Sequence, residues 1–311
     1  KKDKNGRFTM SQDSSVPTGK GFANSLKLDC TTADTSIASS EFLQIVQKIE
    51  GQNLQSIGKG TSDAKPITVS FYVKANATFN FVCELNDLDN TRHISKLFAT
   101  TTDWVKHEIT FPADTTGAFD NDNAASLNLT FWLHAGSTYS SGTLNTATFA
   151  STTNANRAAG VSSFYSSTDN NFFITGVQLE VGQNPTEFEH EPFDVTLIKS
   201  KRYYEKFDYG NTGFVRTGYS NAANSAHCAF EYAEKRAAPT VTLPTAGQSS
   251  GNISFLTGIG GYPSTTGTNS FLTANKTNGR IQAQDYAGLA AREPSVLYST
   301  GSTSIEVDAE L

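Results

Sequence analysis

The fold class is decided by the stretch Ile67 to Lys74, which reads ITVSFYVK. Its strongly apolar side chains occupy every second position, namely Ile67, Val69, Phe71 and Val73. Successive side chains of a β-strand point to opposite faces of a sheet, so this period places one face in a core and the other in water. The stretch therefore predicts a β-strand that is buried on one side.

Three further stretches repeat this period, at residues 105–111, 126–134 and 173–181. Glycine and proline turn signals separate them. Gly176, inside the last stretch, predicts a β-bulge. Short strands at this spacing are typical of an all-β sandwich or barrel rather than of alternating strands and helices.

One segment upstream fits two kinds of structure. A helix would place Phe42, Ile45 and Val46 on one face. An edge strand would instead place Leu43, Ile45 and Gln47 on one face. The pattern alone does not decide between them, and the all-β context favours the strand.

Length and turn signals predict two domains joined by a connector, because 311 residues are many for one typical domain. We expect a β domain at residues 1–185, a connector with a short helix at 186–206, and a smaller β domain at 207–311. The alternation of the first domain stops at Gly182, and Asp194 is the expected N-cap of the helix.

The composition excludes several classes of protein. A net charge of −6 argues against nucleic-acid binding, which needs a basic face, and no apolar run is long enough for membrane insertion. The aromatic fraction of 11% is too high for a disordered chain. Ser and Thr form roughly a fifth to a quarter of the residues, so we expect a surface rich in hydroxyl groups.

The three cysteines are Cys30, Cys83 and Cys228. They are widely spaced and odd in number, and their spacing fits no metal site. We expect buried, reduced thiols in a chain that folds in a cytoplasm.

The sequence contains no strong catalytic or metal-binding motif. Its five histidines include no pair at zinc-ligand spacing, and neither a GxSxG turn nor a phosphate-binding loop is present. We therefore expect no enzyme activity and no cofactor. Alternating Asp and Asn residues at 87–90 and 120–123 leave a structural Ca²⁺ open, since Ca²⁺ prefers carboxylate and amide oxygens.

A long polar stretch, Ser137 to Asn171, is the best candidate for a functional loop. Tyr139, Phe164 and Tyr165 give it aromatic rings of the kind that stack on sugars. We take these three residues as glycan-binding candidates. The alternative, that the rings anchor the loop to the core, stays open.

Several segments of the chain together resemble one protein family. They are GFANSLKL at 21–28, ITVSFYVK at 67–74, FITGVQLEVG at 173–182, TEFE at 186–189, Arg202-Tyr203-Tyr204, RAAPTV at 236–241 and the final DAEL at 308–311. In this order they resemble phage virion proteins of the tail-fibre or minor structural type. Such proteins have a jelly-roll domain similar to carbohydrate-binding modules, with strands upstream of the position of Lys1, and we expect the natural start to lie upstream.

The resemblance implies a jelly-roll β-sandwich followed by a short helix and a second, smaller β domain. It also implies a non-enzymatic tail fibre or spike, assembled in the host cytoplasm into a virion. Its partners would be other virion proteins, two further copies in a homotrimer, and a host-surface polysaccharide. A purely architectural virion protein, such as a capsid decoration or fibre shaft, and a polysaccharide depolymerase are the alternatives.

Overall fold

The computed structural model describes residues 6–210, 213–246, 252–257, 267–272, 274–285, 289 and 291–311. The chain divides into two compact units. The first extends to His190, and the second covers Glu191–Glu310. Each unit is built from antiparallel strands, so the predicted all-β class is confirmed.

The first unit is a jelly-roll sandwich of two five-stranded sheets. In spatial order, the first sheet contains β1 (Phe8–Asp13), β2 (Ser25–Cys30), β10 (Asn171–Val181), β4 (Ile67–Ala75) and β7 (Val105–Phe111). The second sheet contains β3 (Phe42–Glu50), β8 (Ala125–Ala135), β5 (Asn80–Asp87), β6 (Arg92–Ala99) and β9 (Ala150–Ser151). The segment that fitted both helix and strand is therefore a strand.

The core of this unit lies between the two sheets. Val69, Phe71 and Val73 of β4 are fully buried there, as their alternation predicted. The opposite face of β4 was expected to meet water, and this expectation is wrong. Thr68 is buried and donates a hydrogen bond to the Gly182 carbonyl.

Strand β10 carries the predicted bulge. Its pairing with β4 shifts between Thr175 and Gln178. Gly176, between them, has φ of 60°. A Cβ at this position would lie 2.5 Å from Cζ of Phe22, so both the backbone angle and the close ring require glycine.

The second unit begins with a helix, numbered α2 because a single turn, α1 (Ser137–Ser140), precedes it in the chain. The bounds of α2 are Phe193–Lys201. Its N-cap is Pro192, with no side-chain cap, and Asp194 lies in the first turn. The predicted cap at Asp194 is therefore wrong. Pro192 has the extended backbone of an N-cap residue, with ψ of 142°, and the helix has already begun at Phe193.

Two sheets complete the second unit. The six-stranded sheet contains, in spatial order, β15 (Ile253–Thr257), β18 (Pro294–Ser299), β12 (Phe214–Ala222), β13 (Ser225–Glu231), β17 (Asn278–Gln284) and β16 (Thr268–Leu272). The three-stranded sheet contains β11 (Tyr204–Tyr209), β19 (Thr303–Asp308) and β14 (Thr240–Thr242). Their shared core includes Phe230, Ile281 and Val307.

All three cysteines are buried free thiols, as expected. Burial raises the pKa of Cys83, and it raises the pKa of Cys228 to about 12. Thiols with raised pKa values are poor nucleophiles, so these residues serve packing. Among the described residues, no helix has the length and apolarity needed to cross a membrane.

Candidate functional site

The outer face of the second sheet of the sandwich combines aromatic, amide and charged side chains. The register of the strands places one residue each from β3, β8, β5 and β6 side by side, so that they form rows across the sheet. Three such rows are Lys48–Asn128–Asn86–His93, Val46–Thr130–Glu84–Ser95 and Gln44–Trp132–Val82–Leu97. The long polar loop covers the middle of this face through Asn145 and Arg157, so Glu84, Ser95 and Trp132 are buried there. The exposed residues of the rows lie on the outer strands, namely Val46 and Lys48 on β3 and Leu97 on β6.

Three aromatic rings, Phe42, Trp132 and Tyr139, form a cluster on this face, which we call the aromatic shelf. The Phe42 and Tyr139 rings lie 5.5 Å apart between centroids, and Trp132 is 6.1 Å from Phe42 and 5.3 Å from Tyr139. Trp132 is buried beneath the others, whereas Phe42 is 44% exposed and Tyr139 is half-buried. The shelf thus offers two accessible rings on a fixed base.

The base of the shelf is held by an ion pair. Glu84, fully buried on β5, accepts two hydrogen bonds from Arg157, at 2.7 and 2.9 Å. It accepts a third from Nε1 of Trp132, at 2.9 Å. The Arg157 guanidinium also lies 5.1 Å from the Trp132 ring. Arg157 belongs to the long polar loop, so the pair fixes both the loop and the tryptophan.

One polar side chain lies beside the shelf, the half-buried Gln44, which is paired with Trp132. The exposed Lys48 and the half-buried Asn128 are paired four residues further along these strands, about 13 Å away. The Lys48 ammonium donates a hydrogen bond to the Leu311 carbonyl. An amide at the position of Gln44 can donate hydrogen bonds to the hydroxyl groups of a ligand that rests on the rings.

The three predicted glycan-binding residues fall in two different places. Tyr139 is part of the aromatic shelf. Phe164 and Tyr165 are 0% and 1% exposed and belong to the core of the sandwich. The Tyr165 ring contacts His134 and the Arg7 guanidinium. Burial leaves neither ring a face for a sugar, so for these two residues the structure favours the anchoring alternative.

Sequence reasoning missed Phe42 as a site residue. If the segment is read as a strand with Leu43 and Ile45 facing inward, Phe42 and Val46 face outward. Two large apolar residues on the solvent face of an edge strand are unusual and could have marked the site. Both are exposed in the structure, at 44% and 40%.

The two loops for which Ca²⁺ was left open come together around a lysine. Asp89 of the first loop accepts a hydrogen bond from the Asp120 amide of the second, at 2.9 Å. Beside them, the Lys59 ammonium lies 2.6 Å from Asp87 and 3.2 Å from Asp114, and all three side chains are buried. Lys59 thus supplies a positive charge next to these loops. The described residues contain no cluster of three or more acidic, histidine or cysteine side chains that could hold a metal.

Lys59 is bound by oxygen atoms on several sides. Its ammonium also donates to the carbonyl oxygens of Thr116, at 2.8 Å, and Gly117, at 2.6 Å. Asp114 is shared with Arg92, whose Nε lies 2.9 Å away. We call Lys59, Asp87, Asp114 and Arg92 the buried ion cluster.

No family model matches the chain, and no curated protein matches it. Solved structures match at low identity. A CBM4 structure is 14% identical, over 56% of this chain and 77% of that chain, with a TM-score of 0.30. A family 11 carbohydrate-binding module from Clostridium thermocellum, in complex with a β-1,3-1,4-linked tetrasaccharide, is 14% identical over 58% and 85%, with a TM-score of 0.27.

A domain of tailspike protein 4 of bacteriophage CBA120 is 11% identical over 56% of this chain, with a TM-score of 0.31. The match spans 18% of that chain. These three structures are similar to this chain in part of their fold. Similarity at this level carries no information on ligand or partner.

Proposed function

We propose that this chain is a non-enzymatic structural protein of a phage virion, a tail fibre or spike, that attaches the virion to a host-surface polysaccharide. The resemblance of its sequence to virion proteins supports the context. The aromatic shelf carries the binding part of the proposal, because it combines the exposed Phe42 ring and the half-buried Tyr139 ring with the adjacent amide of Gln44.

The chemistry of the shelf fits a neutral sugar chain. Sugar rings present C–H faces that pack on aromatic rings, and their hydroxyl groups need hydrogen-bond partners beside the rings. Phe42 and Tyr139 supply the rings, Gln44 lies in the row of Trp132, and Lys48 and Asn128 lie two rows further along the sheet. The net charge of −6 opposes a polyanionic ligand and so favours a neutral one.

The proposed lack of enzyme activity is supported by the state of the nearby carboxylates. Glycoside hydrolysis needs a pair of accessible acids. Glu84, the carboxylate beneath the shelf, is fully buried and bound by Arg157 and Trp132. Asp87 is also fully buried and is paired with Lys59.

A glycan array and a host-cell adsorption assay test this proposal. The unmodified chain and a Met10→Ala control, changed at an exposed residue of β1, should bind the same glycans. The double variant Phe42→Ala/Tyr139→Ala should lose them. Blank arrays and absent adsorption for the unmodified chain would contradict the proposal, and release of oligosaccharide from host polysaccharide would contradict its non-enzymatic part.

A purely architectural virion role is the second candidate, and the exposure of Phe193 and Ile198 on α2, at 80% and 70%, favours it, because exposed apolar surface is typical of sites of assembly. This role predicts that Tyr139→Ala and Phe164→Ala change stability or assembly but leave adsorption unchanged. The proposed attachment role predicts that Tyr139→Ala lowers adsorption at unchanged stability.

A further inference from the structure

His93 lies on the outer face of β6, and neither of its ring nitrogens has a hydrogen-bond partner among the described residues. The residue is 1% exposed. Ser95, two positions along the same strand, and Asn128, in the same row of the sheet, each carry a buried oxygen atom that also lacks a partner. Buried polar groups are normally paired, because an unpaired one has lost its hydrogen bonds to water. These unpaired groups therefore make the closed form of this region less stable.

The long polar loop covers these groups with residues 150–158, which we call the lid. The first residue of the lid, Ala150, pairs with His93 at the edge of the sheet. Phe149, which immediately precedes the lid, is buried in the core between the two sheets. The lid thus starts from a fixed point, and movement of residues 150–158 does not require Phe149 to leave the core.

Backbone hydrogen bonds tie the lid to the rest of the sandwich. The Thr152 amide donates to the Thr91 carbonyl, at 2.9 Å. The Ala158 amide donates to the carbonyl of Tyr139, also at 2.9 Å, and Tyr139 is part of the aromatic shelf. An open lid breaks both bonds, so the position of the lid and the order of the shelf are connected.

The charged groups that face His93 come from β5 and from the lid. They are Glu84 on β5 and Arg157 of the lid, which are paired with each other at 2.7 Å. Strands β8 and β9 contain no Asp, Glu, Lys or Arg. The charged residues of β6 itself, Arg92 and Lys96, lie on the opposite face of that strand, since successive side chains alternate.

These surroundings keep the imidazole neutral while the lid is closed. Burial is the largest effect and holds the pKa of His93 below its usual value. The charge of Arg157 acts in the same direction, whereas Glu84 and the Asn156 carbonyl oppose the shift without reversing it. A protonated ring would carry two N–H groups, and the closed lid offers them no well-formed hydrogen bond.

We propose that the lid opens on acidification, because the open lid exposes His93 to water and allows it to take up a proton. Opening withdraws Arg157 from Glu84 and Ala158 from Tyr139, and so it dismantles the aromatic shelf. The link to glycan release rests on the proposed function, whereas the opening of the lid rests on His93 and its surroundings alone.

The size of the effect follows from the protonation of the two forms. In the open lid the ring has its ordinary pKa of about 6.5, so the open form gains a proton as the pH falls below that value. The closed form, with its lower pKa, gains a proton only at lower pH. The ratio of open to closed molecules should therefore rise by up to about 25-fold between about pH 7 and pH 5.

Hydrogen exchange on the full 311-residue chain tests the proposal. The protection factors of the Thr152 and Ala158 amides, corrected for the intrinsic effect of pH, measure how often the lid opens. They should fall by up to about 25-fold from about pH 7 to pH 5. The Ala75 amide, which donates to the Thr101 carbonyl elsewhere in the sandwich, should keep its protection. Unchanged protection of the lid, or an equal fall at Ala75, would overturn the proposal.

Two variants assign the effect to one histidine. His93→Gln removes the titrating ring, and His134→Gln is the matched control, since His134 is also 1% exposed but contacts Ser163 and Tyr165 outside the lid. Circular dichroism verifies that both variants are folded. The protection of the lid amides should be independent of pH in His93→Gln and should keep its pH dependence in His134→Gln. A pH dependence that persists in His93→Gln would overturn the assignment.

A glycan that binds the unmodified chain separates this inference from the proposed function. A ligand of the aromatic shelf binds the closed lid, so at about 100 times its Kd it should raise the protection of Thr152 and Ala158 about 100-fold. Binding seen by calorimetry without this gain would overturn the link between lid and shelf. Absence of any glycan binding would contradict the attachment role, and the pH dependence of the lid would still decide the inference about His93.

Discussion

Replacing Lys59 by methionine should destabilise the sandwich more than any single change at its surface. The ammonium of Lys59 lies 2.6 Å from Asp87 and 3.2 Å from Asp114, with side chains 2%, 0% and 7% exposed. Methionine keeps the unbranched shape and all but the last atom of the side chain, but it leaves Asp87 buried without its cation. Removing one partner of a buried ion pair costs about 3–5 kcal/mol in the free energy of unfolding.

Lys106→Met is the matched control. Lys106 and Glu108 form an ion pair of nearly equal length, 2.7 Å, but their side chains are 29% and 48% exposed. An exposed pair contributes about 1 kcal/mol or less. The same substitution in two pairs of equal length thus isolates the effect of burial.

Urea unfolding followed by tryptophan fluorescence measures both costs. The two tryptophans, Trp104 and Trp132, lie in the first unit, so their signal reports on the sandwich alone. In thermal unfolding followed by the same signal, Lys59→Met should lower the melting temperature of this unit by about 6–20 °C, at about 2–4 °C per kcal/mol. Equal losses in Lys59→Met and Lys106→Met would refute the argument that the buried ion cluster stabilises the fold.

The pH dependence of the same variant gives an independent check. Burial alone would raise the pKa of Asp114, but hydrogen bonds from Arg92 and the Thr116 amide, with the charge of Lys59, outweigh it and hold the pKa below its usual range. The carboxylate therefore stabilises the unit above the unfolded-state pKa of about 4, and this contribution is lost as the pH falls through the folded-state pKa. Lys59→Met should raise the folded-state pKa of Asp114, so this loss should be smaller in the variant and should be complete at a higher pH.

Three further changes test other parts of the sandwich. Glu84→Gln should cost about 1–3 kcal/mol in unfolding free energy, because it removes the charge that holds Arg157, and it should speed tryptic cleavage after Arg157 in the native protein. Gly176→Ala should lower the free energy of unfolding, measured in urea, by about 1–3 kcal/mol, because φ is 60° and the new Cβ would clash with the Phe22 ring. Burial lowers the pKa of His93, so the free energy of unfolding should fall as the pH drops below the unfolded-state pKa of about 6.5. In His93→Gln the free energy of unfolding should depend less steeply on pH between about pH 5 and 7.

Local patterns predicted the strands of the fold because alternation is a property of neighbouring residues. The stretch from Val105 to Phe111 is a strand with these bounds, and Gly176 lies at the predicted bulge. The prediction that the second face of β4 is exposed to solvent was wrong, because residues distant in sequence cover it. Gly182 lies over Thr68, and Phe22 lies over Tyr72. Tyr72 packs against Phe22, 5.6 Å away between ring centroids.

The candidate site was harder to predict for the same reason. Tyr139 lies in the loop that composition indicated, but its partner Phe42 lies almost a hundred residues earlier on an edge strand. Phe164 and Tyr165 have the same chemistry as Tyr139, and only the path of the loop decides that they are buried. The contacts of Lys59 with Asp87 and Asp114 likewise join three separate loops and strands, which no local spacing reveals.

The central claim is that the aromatic shelf binds a sugar chain, and isothermal titration with purified host-surface oligosaccharide tests it most directly. We predict saturable binding by the unmodified chain and by Met10→Ala. Stacking on two rings contributes about 1–3 kcal/mol, so Phe42→Ala/Tyr139→Ala should bind roughly 5- to 150-fold more weakly. Equal affinity of the double variant and the unmodified chain, or no binding by the unmodified chain to any host oligosaccharide, would contradict the claim.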